Sequence, residues 1–467
     1  MHLSSFKSLF AMLATATLLS SCGGGSGSSA PPPVGGLHVD AGEGGVTLTW
    51  TGVTGVDYWA YAGQSSSICK NCSTNDWKAT PGAQSRGWAT QLTNPYFFTG
   101  STTQTSLNND VLYSFILDGR INGGPGGDAT ASVSATPRLN GANWYTDGQA
   151  IGTGGIKGLA FGPIVNAATN TYATTGTYLG LGTGGVKYQS TNGLNWTPIT
   201  STDATNWKGA AYGFPGSLIQ KFVSVGAGGA VAYSTDLVTW TTSSKAVTAS
   251  AGQDLNAVAS STNMLVAVGN NGTIVRSTDG IDWSAANALS STPNLYAVTY
   301  ATVSTGGVWV AVGAAGSVFV STDAATWREV TSGTGEDLKG VASLVNYTYP
   351  NGVFSPTVSP TLSYSVVAIG NAGAVTQTRV DGGNWTWKAQ TPLGGGSNLN
   401  AIVSSSALIP TNQFMIVGDG GKAFTSPDGV TWKARDTTVT SNLTGLIRGY
   451  NNQYLAWAAD GSTVYSK

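Results

Sequence analysis

VAVGNNGTIVRSTDGIDW, residues Val266 to Trp283, holds two short runs rich in β-branched residues, split by Asn-Gly and followed by Asp-Gly and a Trp. Asn-Gly and Asp-Gly supply the positive φ that tight hairpins need, so the stretch predicts strand, turn, strand, turn and the start of another strand. It recurs. VSVGAGGAVAYSTDLVTW ends at Trp240, VAVGAAGSVFVSTDAATW at Trp327, MIVGDGGKAFTSPDGVTW at Trp432 and LGLGTGGVKYQSTNGLNW at Trp196. A distorted copy, VVAIGNAGAVTQTRVDGGNW, ends at Trp385. Trp196, Trp240, Trp283 and Trp327 follow one another at 44, 43 and 44 residues. A period in the forties, filled with short strands and Gly turns, predicts the blades of a β-propeller. In the quoted copy the four strands read LNAVAS (inner), LVAVG, TIVRS and IDWS (outer).

The blade count is decided by two distant segments. LTGLIRGYNNQYLAWAADGSTVYSK, after Trp432, runs through three strands and reaches Ser466 without the rest of the motif. NGANW, Asn140 to Trp144, holds the missing part. Setting Trp144 beside Ser466 completes a seventh blade. It closes residues 139–467 into a ring with no free edge between first and last blades.

In each second turn a Ser hydroxyl and an Asp or Asn side chain suit backbone N–H groups, with a Trp packed beneath. The sets are Ser190, Asn192 and Trp196; Ser234, Asp236 and Trp240; Ser277, Asp279 and Trp283; Ser321, Asp323 and Trp327; Asp381 and Trp385; Ser426, Asp428 and Trp432; and Ser466, Asn140 and Trp144. They resemble the Asp-box of sialidase-like propellers, Ser-x-Asp-x-Gly-x-x-Trp, with one residue fewer between Asp and Gly. Asp236-Leu237 and Asp323-Ala324 lack the Gly. The Asp could serve instead as a metal ligand or catalytic acid. Its recurrence around the ring favours a structural role, because an active site needs asymmetry. Residues 140–467 also resemble the photosystem II assembly factor propellers, which implies a non-enzymatic role. The basic protein-binding patch of that family has no counterpart here, since the eight Arg do not cluster.

The turns between second and third strands are minimal, so the links between blades carry most of one face's chemistry. Six inner strands are preceded by Asn or Asp and an apolar residue: Asn206-Trp207, Asp254-Leu255, Asn294-Leu295, Asp337-Leu338, Asn398-Leu399 and Asn442-Leu443. Gly155-Ile156 departs from this pattern. Two readings fit: the side chains cap each link's backbone, or they form a polar ring that holds water, a cation or a sugar.

Upstream, Lys7 and the run SLFAMLATATLL predict a signal peptide over residues 1–21. Leu-Ser-Ser-Cys22 resembles a bacterial lipobox, which implies lipidation of Cys22; the alternative is an ordinary signal peptide with an incidental Cys. GGGSGSSAPPPVGG predicts a tether over 22–36 that holds a domain off a membrane. Gly23, rather than Asp, implies sorting to the outer membrane, facing periplasm or medium. Residues 37–138 read as short strands, with VDYWAYAG placed to partner GVTLTW. Trp50, Leu107, Tyr113 and the hairpin GGPGG…SVSATP resemble a fibronectin type III domain, a fold that implies a spacer or adhesive module. Cys69 and Cys72, in CKNC, are a disulfide candidate; redox, haem or zinc roles lack their usual context.

Charged residues make up 9% of the chain and the net charge is −1, which disfavours nucleic acid as a partner. With His2 and His38 the only histidines, a multi-His metal site or a Ser-His-Asp triad in the propeller is excluded. No catalytic set, metal or cofactor is expected, and the chain is expected to be a monomer. The expected fold is all-β: a fibronectin type III-like sandwich, then a seven-bladed propeller closed by an N-terminal strand. The expected function is an envelope scaffold that binds a protein or glycan partner through the ring or the sandwich. The alternative is a glycoside hydrolase or glycan-binding protein of the sialidase-like type. Its substrate carboxylate would need three of Arg276, Arg328, Arg379, Arg435 and Arg448, and its chemistry a pair such as Glu336 or Asp337 with Asp254.

Overall fold

The computed structural model describes residues 30–466 except 43, 65–66, 68–83, 87–95, 99–106, 108–110, 122–126, 139–140, 147, 153–154, 167–170, 214–219, 304–305, 349–360, 380–384, 406–412 and 450–452. Cys22, Cys69, Cys72, Asn140 and Asp381 lie outside the described residues.

The first seven strands are β1 (Val34–Gly42), β2 (Gly45–Thr51), β3 (Asp57–Gly63), β4 (Gln84–Arg86), β5 (Tyr96–Phe98), β6 (Tyr113–Arg120) and β7 (Val133–Ala135). They form two small sheets, ordered β1-β2-β5 and β4-β3-β6-β7. Inward residues of both, Val46, Leu48 and Trp50 from one and Tyr58, Ala60, Phe115 and Leu117 from the other, share one core. This corrects the expected pairing of GVTLTW with VDYWAYAG. β2 and β3 lie in facing sheets, because the short connection between them carries the chain across the core, where Trp50 meets Tyr58 edge to face at 5.9 Å. The structured region also starts earlier than residue 37: β1 begins at Val34, and Ala30 is buried where Gly119 and Gly127 leave room for it. A Cβ on Gly127 would fall 1.9 Å from the Ala30 carbonyl oxygen.

Beyond β8 (Trp144–Tyr145) come seven four-stranded antiparallel sheets among the described residues. The first comprises β9 (Ile156–Asn166), β10 (Thr171–Gly182), β11 (Lys187–Ser190) and β12 (Thr197–Ile199). The second to sixth span 207–242, 255–285, 295–330, 338–389 and 399–436. The seventh takes Leu443–Arg448, Tyr454–Ala458 and Thr463–Ser466 and is completed by β8, with Tyr465 opposite Tyr145 and Ser466 opposite Trp144. The first strands touch in succession, and that of the seventh sheet touches β9. This arrangement is consistent with a β-propeller.

The alternation in each strand explains how the sheets stack. In Leu265–Gly269 every residue is buried, because both faces of the sheet are covered. Leu265 and Ala267 pack on Val223 and Val225 of the sheet before; Val266 and Val268 pack on Trp309 and Phe319 of the sheet after. The last cluster joins Leu455, Trp457 and Tyr465 of the seventh sheet to Ile156, Leu159 and Tyr178 of the first. Among the described residues the buried clusters of the ring are shared between neighbouring sheets, so each sheet relies on the two beside it for its burial.

The second and third strands of the first six sheets are joined by three-residue 3-10 turns, such as Asn270–Gly272 and Ala314–Gly316. The central residue has a left-handed φ throughout, +68° at Gly184 but +52° at both Ala315 and Ala372. A Cβ is strained there by about 1 kcal/mol. Ala315→Gly is therefore expected to stabilise the ring by roughly 0.5–1 kcal/mol, read as a rise in denaturation midpoint; a fall would show that the strain is absent. The outer strands are shorter than the sequence suggests. That of the third sheet is Ser284–Ala285, not Ile281 to Ser284, since the second turn claims the residues up to Trp283.

Candidate functional site

The 3-10 turns and the interblade links meet on one face, and the six link residues are the chemistry that repeats there. Each side chain accepts a hydrogen bond from the central N–H of the turn in the preceding sheet. The pairs are Gly184 N–H to Asn206 at 2.9 Å, Gly228 to Asp254 at 2.8 Å and Asn271 to Asn294 at 3.0 Å. Ala315 to Asp337, Ala372 to Asn398 and Gly420 to Asn442 follow at 3.0, 3.0 and 2.9 Å. The backbone carbonyls of the first five reach the other way. Those of Asn206, Asp254, Asn294, Asp337 and Asn398 accept from the first residue of the turn in their own sheet, at 2.8–3.0 Å. One residue thus clamps two neighbouring turns. Of the two readings open from sequence, neither describes this in full: the side chains do cap backbone, but on the adjacent sheet rather than on their own link.

The seventh junction differs. Its turn is capped from within, by Asp460 Oδ1 accepting from the N–H and the hydroxyl of Ser462 at 2.9 and 2.7 Å. No side chain is needed from Gly155, where the pattern departs. A main-chain bond, Ile151 N–H to the Gly461 carbonyl at 2.7 Å, joins the two sheets instead.

Just past the link residues, on the first strands, polar groups satisfy one another. Lys208 Nζ donates to Asp254 Oδ2 at 2.8 Å and to Asn256 Oδ1 at 3.1 Å. Asn256 and Asn400 donate to the Leu295 and Leu443 carbonyls of the next sheets, both at 2.9 Å. Lys339 lies 3.9 Å over the Tyr296 ring and 3.3 Å from Asp337. The hydrogen bonds from Lys208 and the Gly228 N–H hold the Asp254 carboxyl below its usual range. The Ala315 N–H does the same for Asp337, aided by Lys339 and opposed by burial. A general acid needs the opposite shift, so neither Asp254 nor Asp337 is tuned for that half of a glycoside-hydrolysing pair. The five Arg weighed for a sialidase-like site are dealt out over the third to seventh sheets, and Arg435 Nε donates to Thr425 Oγ1 within its own. Asn294→Ala is expected to cost about 1 kcal/mol, and Asp254→Ala somewhat more, since it also removes the ion pair with Lys208 and leaves that ammonium on Asn256. Equal denaturation midpoints for Asn294→Ala and the parent chain would remove the capping role.

One sector of this face departs from the repeat. The second link folds into α1 (Ser244–Ala249), whose N-cap Ser243 accepts from Ala246 N–H. Among the described residues this is the only α-helix, and its signal in the sequence, Ser243 as N-cap before SKAVTA, is short and weak beside the strand repeat. With the third link it borders a cleft of about 320 Å³. Ala249, Ala251, Ile274, Ala286 and Leu289 make its apolar lining, and Gln253, Asn271 and Asn287 supply amides. No charged residue lines it.

The Ser, Asp and Trp sets form the second turns. Ser277 Oγ accepts from Gly280 N–H at 2.8 Å, and Asp279 Oδ1 accepts from the Ile281 and Asp282 N–H groups, both at 2.8 Å. Trp283 Nε1 donates to the Gly280 carbonyl at 3.3 Å. Asn192, Asp236, Asp323 and Asp428 accept from the same two positions. Ser190, Ser234 and Ser426 accept as Ser277 does, and all five hydroxyls, Ser321 included, donate to the Asp or Asn two residues on at 2.9–3.1 Å. Trp196, Trp240 and Trp327 close their turns as Trp283 does, and Trp432 bonds instead to Gln390 Oε1. In the split copy Gly141 N–H donates to Ser466 Oγ and Trp144 Nε1 to the Gly141 carbonyl. In the fifth sheet Thr378 holds the ladder position of Ser277, opposite Val366 as Ser277 is opposite Leu265. The expected Trp385 is corrected to Trp387, which lies further along the chain than the motif spacing suggests, opposite Thr378. Trp387 is 6% exposed in the core shared with the fourth sheet, while Trp385 is only half-buried against it. Leu237 and Ala324 adopt φ of +64° and +57° without being Gly. Burial works to raise the Asp279 carboxyl, but the Asp282 and Ile281 N–H groups, Ser277 and the charge of Lys221 together bring it below the usual range.

No protein-family model matches the chain, and no curated protein matches it. Solved structures do. YCF48 bound to a D1 peptide is similar at 17% identity, covering 70% of this chain and 97% of that one, with a TM-score of 0.48. YCF48 from Cyanidioschyzon merolae is similar at 14% identity over 69% of this chain and 98% of that one, with the same score. The WD40 β-propeller domain of Doa1 is similar at 8% identity over 70% and 97%, again at 0.48.

Proposed function

We propose that the chain is an outer-membrane lipoprotein, held by acylated Cys22, whose ring and N-terminal sandwich form a non-enzymatic scaffold for a protein or polysaccharide partner. On this reading the ring is a seven-bladed propeller closed by β8, and the N-terminal sheets are a fibronectin type III-like module. Strand orders β1-β2-β5 and β4-β3-β6-β7, with a core between them, favour the latter. One observation carries the functional reading: the six Asn and Asp side chains on the turn face are committed to backbone N–H groups. They give a rigid frame on which the links vary, and the sector of α1 and its uncharged cleft is the most individual of them.

Crosslinking in intact cells, followed by pull-down of the acylated full chain, tests the reading. Recovery of a specific envelope protein or glycan is the expected result. Sugar release from a glycan array with no partner recovered would overturn it in favour of a hydrolase. Metabolic labelling with palmitate tests the anchor: label on the parent chain and none on Cys22→Ser is expected, and label on neither would remove the lipid from the proposal.

A further inference from the structure

Arg138 holds two parts of the molecule at once. Its backbone N–H donates to the carbonyl of Gly42, the last residue of β1, at 3.0 Å. Its guanidinium Nη2 donates to the Tyr145 hydroxyl at 3.1 Å. Tyr145 is half of β8, the two-residue strand that completes the seventh sheet, and its ring stacks on Tyr465 at 5.5 Å. At the junction beside this strand Asp460 caps its turn from within, and among the described residues of the link no side chain clamps it. We propose that Arg138 makes closure of the ring depend on the N-terminal sandwich, so that loosening the sandwich loosens the seventh sheet and its contact with the first.

The chemistry favours transmission rather than mere contact. A guanidinium-to-phenol bond is charge-assisted and directional, so displacement of the β1 end reaches the phenol through one side chain. β8 contributes two cross-strand pairs, with Tyr465 and Ser466; Trp144 anchors its first residue in the core of the sixth and seventh sheets, and it is the second, Tyr145, that a displaced Arg138 reaches. Coupling needs an element with two arrangements that both sites bias, and a two-residue closing strand, paired or released, is such an element.

Hydrogen exchange on the full chain tests this. Leu48, wholly buried in the sandwich core, is far in sequence from the ring, and Leu48→Ala should loosen the sandwich. The expected result is exchange about tenfold faster at the amides of Tyr454–Ala458 and Thr463–Ser466, the scale set by one charge-assisted bond, with Leu295–Val303 unchanged. In an Arg138→Ala background the same substitution should leave the seventh sheet unmoved. Tyr145→Phe, which keeps the stacked ring and removes only the acceptor, should uncouple equally. Unchanged exchange in the seventh sheet after Leu48→Ala, or equal acceleration with and without Arg138, would overturn the proposal.

Discussion

Trp144→Ala is expected to cost the ring about 4 kcal/mol, within the range for truncating a buried aromatic. The indole is 5% exposed and packs with Met415 and Val417 of the sixth sheet and Leu446, Tyr454 and Val464 of the seventh. It also fixes the split turn through the Gly141 carbonyl. Trp283→Ala removes a comparably buried indole, 6% exposed, from a turn whose chain is continuous. Its cost should be similar in energy yet different in kind. Trp283→Ala should raise proteolysis only near its own turn, whereas Trp144→Ala should free β8 and expose Thr463–Ser466 as a sheet edge. Identical cleavage patterns would show that β8 does not close the ring.

Asp203→Ala has the second large effect. Lys187 is 1% exposed, its ammonium 2.8 Å from Asp203 and between 5.1 and 5.2 Å from the rings of Trp207 and Trp240. Trp207, buried as deeply, donates its indole N–H to the same carboxylate at 2.7 Å. Removing the acid leaves a buried cation and an orphaned N–H, a change that costs about 3–5 kcal/mol. Lys187→Met together with Asp203→Ala should recover most of that loss, because the site then becomes apolar. Burial works to raise the Asp203 carboxyl, but Lys187 and Thr205 bring it down to about 2 from 3.8. Since the folded value is the lower one, the contribution is complete above pH 3.8 and is lost as the pH falls towards 2, an effect of about 2 kcal/mol. Acid unfolding of the parent chain should be steeper in that window than that of the double variant. Superimposable curves would dismiss the ion pair as a contributor.

What could be read in advance divides along a physical line. The Ser466 and Trp144 pairing was legible because a motif was cut in two, and sequence order alone places its halves side by side. The link Asn and Asp residues were visible as a pattern, but their partners were not. Asn206 and Gly184 lie 22 residues apart and Asp254 and Gly228 lie 26 apart, in sheets whose stacking decides which turn meets which link. Left-handed positions were read through Gly and Asn, yet Leu237, Ala315, Ala324 and Ala372 take the same φ because the turns around them allow nothing else. Lys187 was not legible as a site either. Its signal was a charge standing where other sheets have Val231, Ile274 and Val318, and only burial turns that oddity into a paired ion.

A double clamp constrains where the chain tolerates new material. Between Asp254 and Leu255, or at the same step in Asn206, Asn294, Asp337 and Asn398, one added residue would pull either the side chain or the carbonyl off its turn. Further upstream the second link accommodates a helix while Asp254 keeps both of its bonds. A peptide grafted into that second link, upstream of Gln253, would therefore leave both bonds of Asp254 and the two turns they hold in place.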